Sequence, residues 1–116
     1  MRTLYHHPLS TQSRLVRLAM NEKHLVADER EEPYWLRRGD LLSLNPSGDV
    51  PVLVEEDGEI ICGGRVICEY LEDESPEVSL LGATPKARAE TRRLVDWFDS
   101  KFCTEVTQFL AGEKLY

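Results

Sequence analysis

Apolar and polar positions change period several times along the chain, and each change marks an element. Arg2 to Tyr5 reads as a short strand, broken by His6-His7-Pro8-Leu9. Ser10 is placed to cap a helix from Thr11 to about Lys23. Leu15, Val16, Leu18, Ala19 and Met20 give that helix a broad apolar face, and Arg14, Arg17 and Glu22 stay wet. Leu25 to Ala27 starts a second strand that fades into the acidic run Asp28 to Glu32. Pro33 to Leu36 is irregular, and Leu36 to Leu44 predicts a short helix with Leu41, Leu42 and Leu44 inward. Val52-Leu53-Val54 is a strand, Glu56-Asp57-Gly58 a tight turn, and Glu59 to Cys62 the returning strand, because Asp-Gly between apolar runs signals a hairpin. Gly63-Gly64 opens a helix carrying Val66, Ile67, Tyr70 and Leu71, followed by an acidic linker from Glu72 to Gly82. Thr84-Pro85 starts the longest helix, a cap followed by proline at the first helical position. Its stripe of Leu94, Val95, Phe98, Phe102, Val106, Phe109 and Leu110 carries it to about Leu115.

This order predicts a right-handed βαβ unit, then a helix, a hairpin and a helix: an α/β fold with a four-stranded mixed sheet and helices on both faces. One long helix is appended. A chain of 116 residues is enough for one modest domain with a core. The 14 basic and 21 acidic side chains give a net charge of −7. Arg37-Arg38 and Arg92-Arg93 are isolated basic pairs, so neither nucleic acid nor an anionic membrane is an expected partner. The N-terminus is strand-like and lacks a signal-peptide core, and apolar runs such as Leu15 to Met20 are too short to span a bilayer. Cys62, Cys68 and Cys103 fit neither a zinc module nor a Cys-x-x-Cys pair, which suits reduced thiols in a cytoplasmic protein. No metal site is expected. His6 and His7 are adjacent on a strand and point to opposite faces, and Asp96 with Asp99 reads as a wet helix face.

The most informative stretch is Asn45-Pro46-Ser47-Gly48-Asp49-Val50-Pro51-Val52-Leu53. Proline cannot donate to a ladder, so Pro51 belongs at the mouth of its strand. Local sequence favours a trans bond, since only about 5–6% of X–Pro bonds in folded proteins are cis. A cis bond would turn the strand and leave the Val50 N–H and C=O open to a peptide-like ligand.

Four segments carry a family resemblance. They are Leu4-Tyr5-His6-His7-Pro8 leading to Ser10, Ser13-Arg14-Leu15-Val16-Arg17-Leu18-Ala19, Leu44 to Leu53, and Gly63-Gly64-Arg65-Val66-Ile67-Cys68-Glu69-Tyr70-Leu71. Together they resemble the thioredoxin-like N-terminal domain of the cytosolic glutathione transferases, with a βαβαββα order. The resemblance implies residues 1–75 as a glutathione-binding domain and 76–84 as a linker. It implies 85–116 as the first helix of an all-helical C-terminal domain that is cut short. With most of its cover missing, the stripe on that helix is expected to drive self-association, with a homodimer as the outcome.

The resemblance further implies a cis Pro51, with Val50 pairing to the cysteinyl backbone of glutathione, the substrate. Ser10 sits where Ser-type members place the hydroxyl that favours the thiolate, and it equally reads as a helix cap. Thr11 is the next candidate donor and Tyr5 a weaker one. Gln12 stands where some bacterial members carry cysteine, which disfavours thiol–disulfide exchange. Gly63 and Gly64 occupy positions where most active members have an acid and a serine or threonine gripping the γ-glutamyl end. Backbone N–H groups there can still hold a carboxylate, and the glycines equally read as cap or close-packing residues. Arg65 is a candidate contact for an anionic ligand or an acidic partner, and otherwise a solvated side chain. Trp35, beside Tyr34, is expected to wall the site, anchor a protein partner or pack on the core. Arg37 and Arg38 are candidates for the glycyl carboxylate. His6 and His7 are expected to flank the pocket mouth. The implied function is conjugation of glutathione to an electrophile in the full-length parent. The alternative is a non-catalytic protein of the same fold that binds a protein partner in cell division or transcription.

Overall fold

A computed structural model describes residues 1–97. The chain divides into two compact units, Met1–Val78 and one beginning at Ser79. The first contains β1 (Thr3–His6), α1 (Thr11–Glu22), β2 (Asp28–Glu31), a 3-10 turn (Tyr34–Leu36), α2 (Gly39–Leu44), β3 (Val52–Val54), β4 (Ile60–Cys62) and α3 (Gly64–Glu74). The four strands form one sheet in the order β2-β1-β3-β4. β1 runs parallel to β2 and antiparallel to β3, which is antiparallel to β4. This is the thioredoxin-like arrangement that the order of elements predicts.

Strand alternation puts a different core on each face. Leu4 and Leu53 pack with Val16 and Met20 of α1 and Ile67 and Leu71 of α3. On the opposite face Val52 packs with Leu41 of α2 and Val50, and Tyr5, Tyr34 and Cys62 lean on them. The cores explain two departures from the sequence pattern. The buried stripe of α1 is Ser13, Val16, Met20 and then Lys23, at steps of three and four, which leaves Leu18 63% exposed. α3 buries Gly64, Ile67, Leu71 and Glu72, and so leaves Val66 57% exposed.

The second strand lies one segment later than its apolar residues indicate. Asp28 N–H donates to Arg2 C=O, and Glu32 N–H donates to His6 C=O, so pairing with β1 fixes the strand on the acidic run. All four β2 side chains are exposed on this edge, so their polarity does not oppose the pairing. Leu25 and Ala27 pack against the core from the connection that precedes it. Helix α3 also runs past Glu72 to Glu74. That start of the expected linker is helical because Glu72 is buried beside Lys23, 3.7 Å away.

The sheet end at Thr3 carries a polar network. Arg2 donates from Nε and Nη2 to the two oxygens of Glu55, at 2.8 and 2.7 Å, and from Nη2 to Glu74 Oε1 at 2.6 Å. Tyr70 donates to Glu55 Oε2 at 2.5 Å, and this bond to a carboxylate pushes the phenol pKa up.

His6 closes the opposite end of the α1 face. It is buried, and its Nδ1 has no hydrogen-bond partner. Burial, helped by the charge of Arg17, holds the imidazole below its ordinary value of 6.5, against the pull of Glu29 and Glu31. The unfolded chain therefore binds this proton more readily than the fold does. Stability from His6 is fully present above pH 6.5 and is lost as pH falls from there through the lower folded value. Urea unfolding across pH 5 to 8 is expected to show this decline, and His6→Leu should flatten it. An unchanged slope in that variant would remove His6 as the cause.

In the second unit α4 (Pro85–Trp97) is capped by Thr84, whose Oγ1 accepts from Ala87 N–H at 3.1 Å. Leu94 and Trp97 are exposed and Val95 is half-buried. Phe98, Asp99, Phe102, Cys103, Val106, Phe109 and Leu110 lie outside the described residues. Among the described residues no helix is long and apolar enough to cross a membrane.

Candidate functional site

The sheet end at His6 gathers most of the candidate residues. The Val50–Pro51 peptide is cis. Pro51 C=O accepts from Gly63 N–H at 3.1 Å, which joins the mouth of β3 to the start of α3. Val50 is buried, and among the described residues neither its N–H nor its C=O makes a hydrogen bond. One rung of main chain is thus unpaired at the mouth of β3.

Ser10 is the cap of α1. Its backbone is extended and its Oγ accepts from Ser13 N–H at 3.1 Å. Capping uses a lone pair of the hydroxyl, and the proton stays available for donation. Ser13, fully buried one turn on, accepts from His7 N–H at 3.3 Å and ties the β1–α1 connection to the helix.

The start of α3 is shaped by its two glycines, for different reasons. Gly63 is the cap at φ 97°, a backbone region that side-chain-bearing residues rarely adopt. Gly64 is buried against Gln12 of α1: a Cβ there would lie 3.0 Å from Gln12 Cβ and collide with Gln12 Oε1. The N-termini of α1 and α3 therefore lie side by side. Neither has an acid in its first turn, and Arg65 is exposed in the first turn of α3. The start of a helix carries N–H groups outside its own ladder and the positive end of its dipole.

The 3-10 turn packs against the β1–α1 connection. The rings of His7 and Trp35 meet edge to face with centroids 4.7 Å apart, and Tyr34 lies 5.4 Å from Trp35. Leu36 is 62% exposed beside them. His7 Nδ1 accepts from Leu9 N–H, so its other nitrogen carries the proton of a neutral ring. His7 packs on Trp35, whereas His6 is buried on the α1 face, since alternation sends the two to opposite faces. Arg37 turns back in a left-handed conformation and reaches Ser47 C=O at 3.5 Å. Arg38 Nε is 3.7 Å from Glu32 Oε2, a buried oxygen with no hydrogen bond. Among the described residues no group of three His, Cys, Asp or Glu is placed to hold a metal.

The sequence does not place Ser13 or Glu32 beside the candidate residues. Ser13 did carry a signal, three residues before Val16 on the buried stripe. Contact between Gln12 and Gly64 crosses two distant segments and left none.

The Glutathione S-transferase, N-terminal domain family model matches residues 4–79. FtsZ-localized protein A of Caulobacter vibrioides is 49% identical over 117 residues, covering 98% of this chain and 51% of that protein. A crystal structure of a glutathione S-transferase from Rhodospirillum rubrum superposes with a TM-score of 0.94 at 55% identity, covering 99% of this chain and 52% of that one. A glutathione S-transferase from Methylobacterium radiotolerans, solved with glutathione sulfonate, has a TM-score of 0.80 at 28% identity, covering 84% and 46%. This chain spans about half the length of these relatives. From the match of 4–79 and these likenesses, the chain belongs to the glutathione S-transferase superfamily, whose N-terminal domain it contains.

Proposed function

We propose that the protein carrying this chain is a transferase-fold adaptor that docks on a protein partner, with FtsZ filaments the first candidate, and that its glutathione cradle is built from main chain alone. The start of α3 carries this reading. Gly63 holds a backbone conformation that strains any other residue and Gly64 is packed against Gln12, so both positions oppose a polar side-chain grip on a γ-glutamyl end. Two lost hydrogen bonds to charged groups weaken binding by roughly 1.5–3 kcal/mol each, about tenfold to a hundredfold apiece. The partner is suggested by the likeness to FtsZ-localized protein A over almost the whole chain.

A second reading, glutathione conjugation, is favoured by the unspent Val50 rung and by the free proton of Ser10. In it Ser10 stabilises the thiolate, and Val50 beside Pro51 pairs with the cysteinyl backbone. The N–H groups at Gly63, Gly64 and Arg65 take the γ-glutamyl carboxylate, and Trp35 and Arg38 face the glycyl end. Both readings place the protein in the cytoplasm as a homodimer.

Calorimetry with reduced glutathione and co-sedimentation with polymerised FtsZ separate the two readings. The adaptor is expected to pellet with polymer and to bind glutathione at millimolar strength or weaker. Micromolar binding abolished by Ser10→Ala, with no pelleting, would establish the transferase instead.

A further inference from the structure

The end of the sheet away from Val50 carries a second surface. β3 runs antiparallel to β1 with Val54 opposite Thr3, so the turn that follows β3 lies beside the N-terminus. Met1, Arg2, Val26, Glu55, Glu56 and Asp57 line an open groove there of about 580 Å³. Met1 is 70% exposed and Val26 69%, the two most exposed large apolar side chains among the described residues, and both line this one groove. Apolar side chains that gather in a concave place with a polar rim mark an interaction site, whereas single ones scattered over a surface do not.

Charge indicates what docks there. Arg2 is the one basic side chain of the lining, and Glu55 and Glu74 already take its Nε and Nη2. Glu56 and Asp57 are exposed, and so is Glu59, whose C=O accepts from Glu55 N–H across the same turn. Glu56 already holds one ammonium, the α-amino group of Met1 at 2.5 Å. A second copy of this chain is a poor occupant, because each copy carries a net charge of −7 and like charges set face to face repel. A cationic segment of another protein is complementary.

We propose that this groove docks a basic segment of a partner protein, which lays an aliphatic side chain between Met1 and Val26 and sets an adjacent lysine or arginine on Glu56 and Asp57. The inference deepens the adaptor reading, and its chemistry is tested apart from FtsZ and from glutathione. The probes are two fluorescein-labelled peptides, one of alternating lysine and leucine and one of alternating glutamate and leucine, titrated into the full-length protein by anisotropy. The lysine peptide is expected to bind and the glutamate peptide not. Glu56→Lys should weaken binding by about tenfold, since an attraction becomes a repulsion. Val26→Ser, which removes part of the apolar floor, should weaken it by about fivefold. Asp40→Lys makes the same charge reversal on an exposed acid at the other end of the sheet and should change little. Thermal melts check that all three variants fold. No binding of the lysine peptide, equal binding of both peptides, an equal loss in Asp40→Lys, or binding undiminished by Glu56→Lys or by Val26→Ser would overturn the proposal. So would self-association in sedimentation velocity that Val26→Ser abolishes, which would seat a second copy in the groove. Failure of the parent protein to pellet with FtsZ would remove that partner and leave the groove standing on the peptide result.

Discussion

Lys23→Met is expected to lower the unfolding free energy by about 3–5 kcal/mol, the usual cost of removing one member of a buried ion pair. The Lys23 side chain is 0% exposed and that of Glu72 3%, with Nζ 3.7 Å from Oε1. The ammonium also donates to the carbonyls of Ser75 and Val78, at 2.7 and 2.5 Å. Ser75 is the C-cap of α3, where a cation meets the negative end of the helix dipole. One side chain from the end of α1 thus holds the end of α3 and the segment leaving it. Methionine fills similar space but removes the cation beside the Glu72 carboxylate and the donor to two carbonyls. Against a total of roughly 5–15 kcal/mol for a domain, that loss puts the fold at risk at 37 °C. Urea melts of the single variant and of Lys23→Met with Glu72→Leu are the measurement. The double variant should recover most of the loss, because an apolar pair of similar volume replaces the buried charges. A single-variant loss under about 1 kcal/mol, or no recovery in the double, would show that the ion pair does not hold this junction.

Gly64→Ser is expected to destabilise by about 1–3 kcal/mol, the range for overpacking a filled contact. The added Cβ meets Gln12 Cβ at 3.0 Å and Cδ at 3.1 Å, so swinging the amide aside does not clear it. Gln12 or the helix starts must give by a few tenths of an ångström, at the end of α3 that Gly63 ties to Pro51. Gln12→Ala alone removes the obstacle and should be mild. The double variant should melt near the parent and bind glutathione more tightly, because a hydroxyl then stands at the helix start. A Gly64→Ser protein as stable as the parent, or a stable double variant with unchanged glutathione affinity, would break the link between this packing and the bare cradle.

Much of the fold was legible because local chemistry and global architecture agree. Asp57-Gly58 turns the hairpin, Thr84 caps α4, and Ser10 caps α1. The elements that read poorly have faces chosen by a neighbour. The β2 residues are an acidic run, and only pairing with β1 makes them a strand. Lys23 reads as a wet helix end, yet it continues the stripe of Val16 and Met20 into a place where α3 supplies its anion.

The candidate site divides the same way. Val50-Pro51, the Ser10 cap and the glycine pair were visible as residues, since each is a local backbone requirement. Why there are two glycines was not visible: Gly63 answers to its own φ, but Gly64 answers to Gln12, fifty-two positions earlier in the chain. The sequence by itself determined the order of elements, the caps, the turns and the family. Tertiary structure decided which helix face is inside, where the edge strand pairs, which charges are buried, and that Gly64 at the start of α3 is packed against Gln12. Periodicity records the solvent preference of each residue, whereas these outcomes depend on which surface from another segment comes to lie against it.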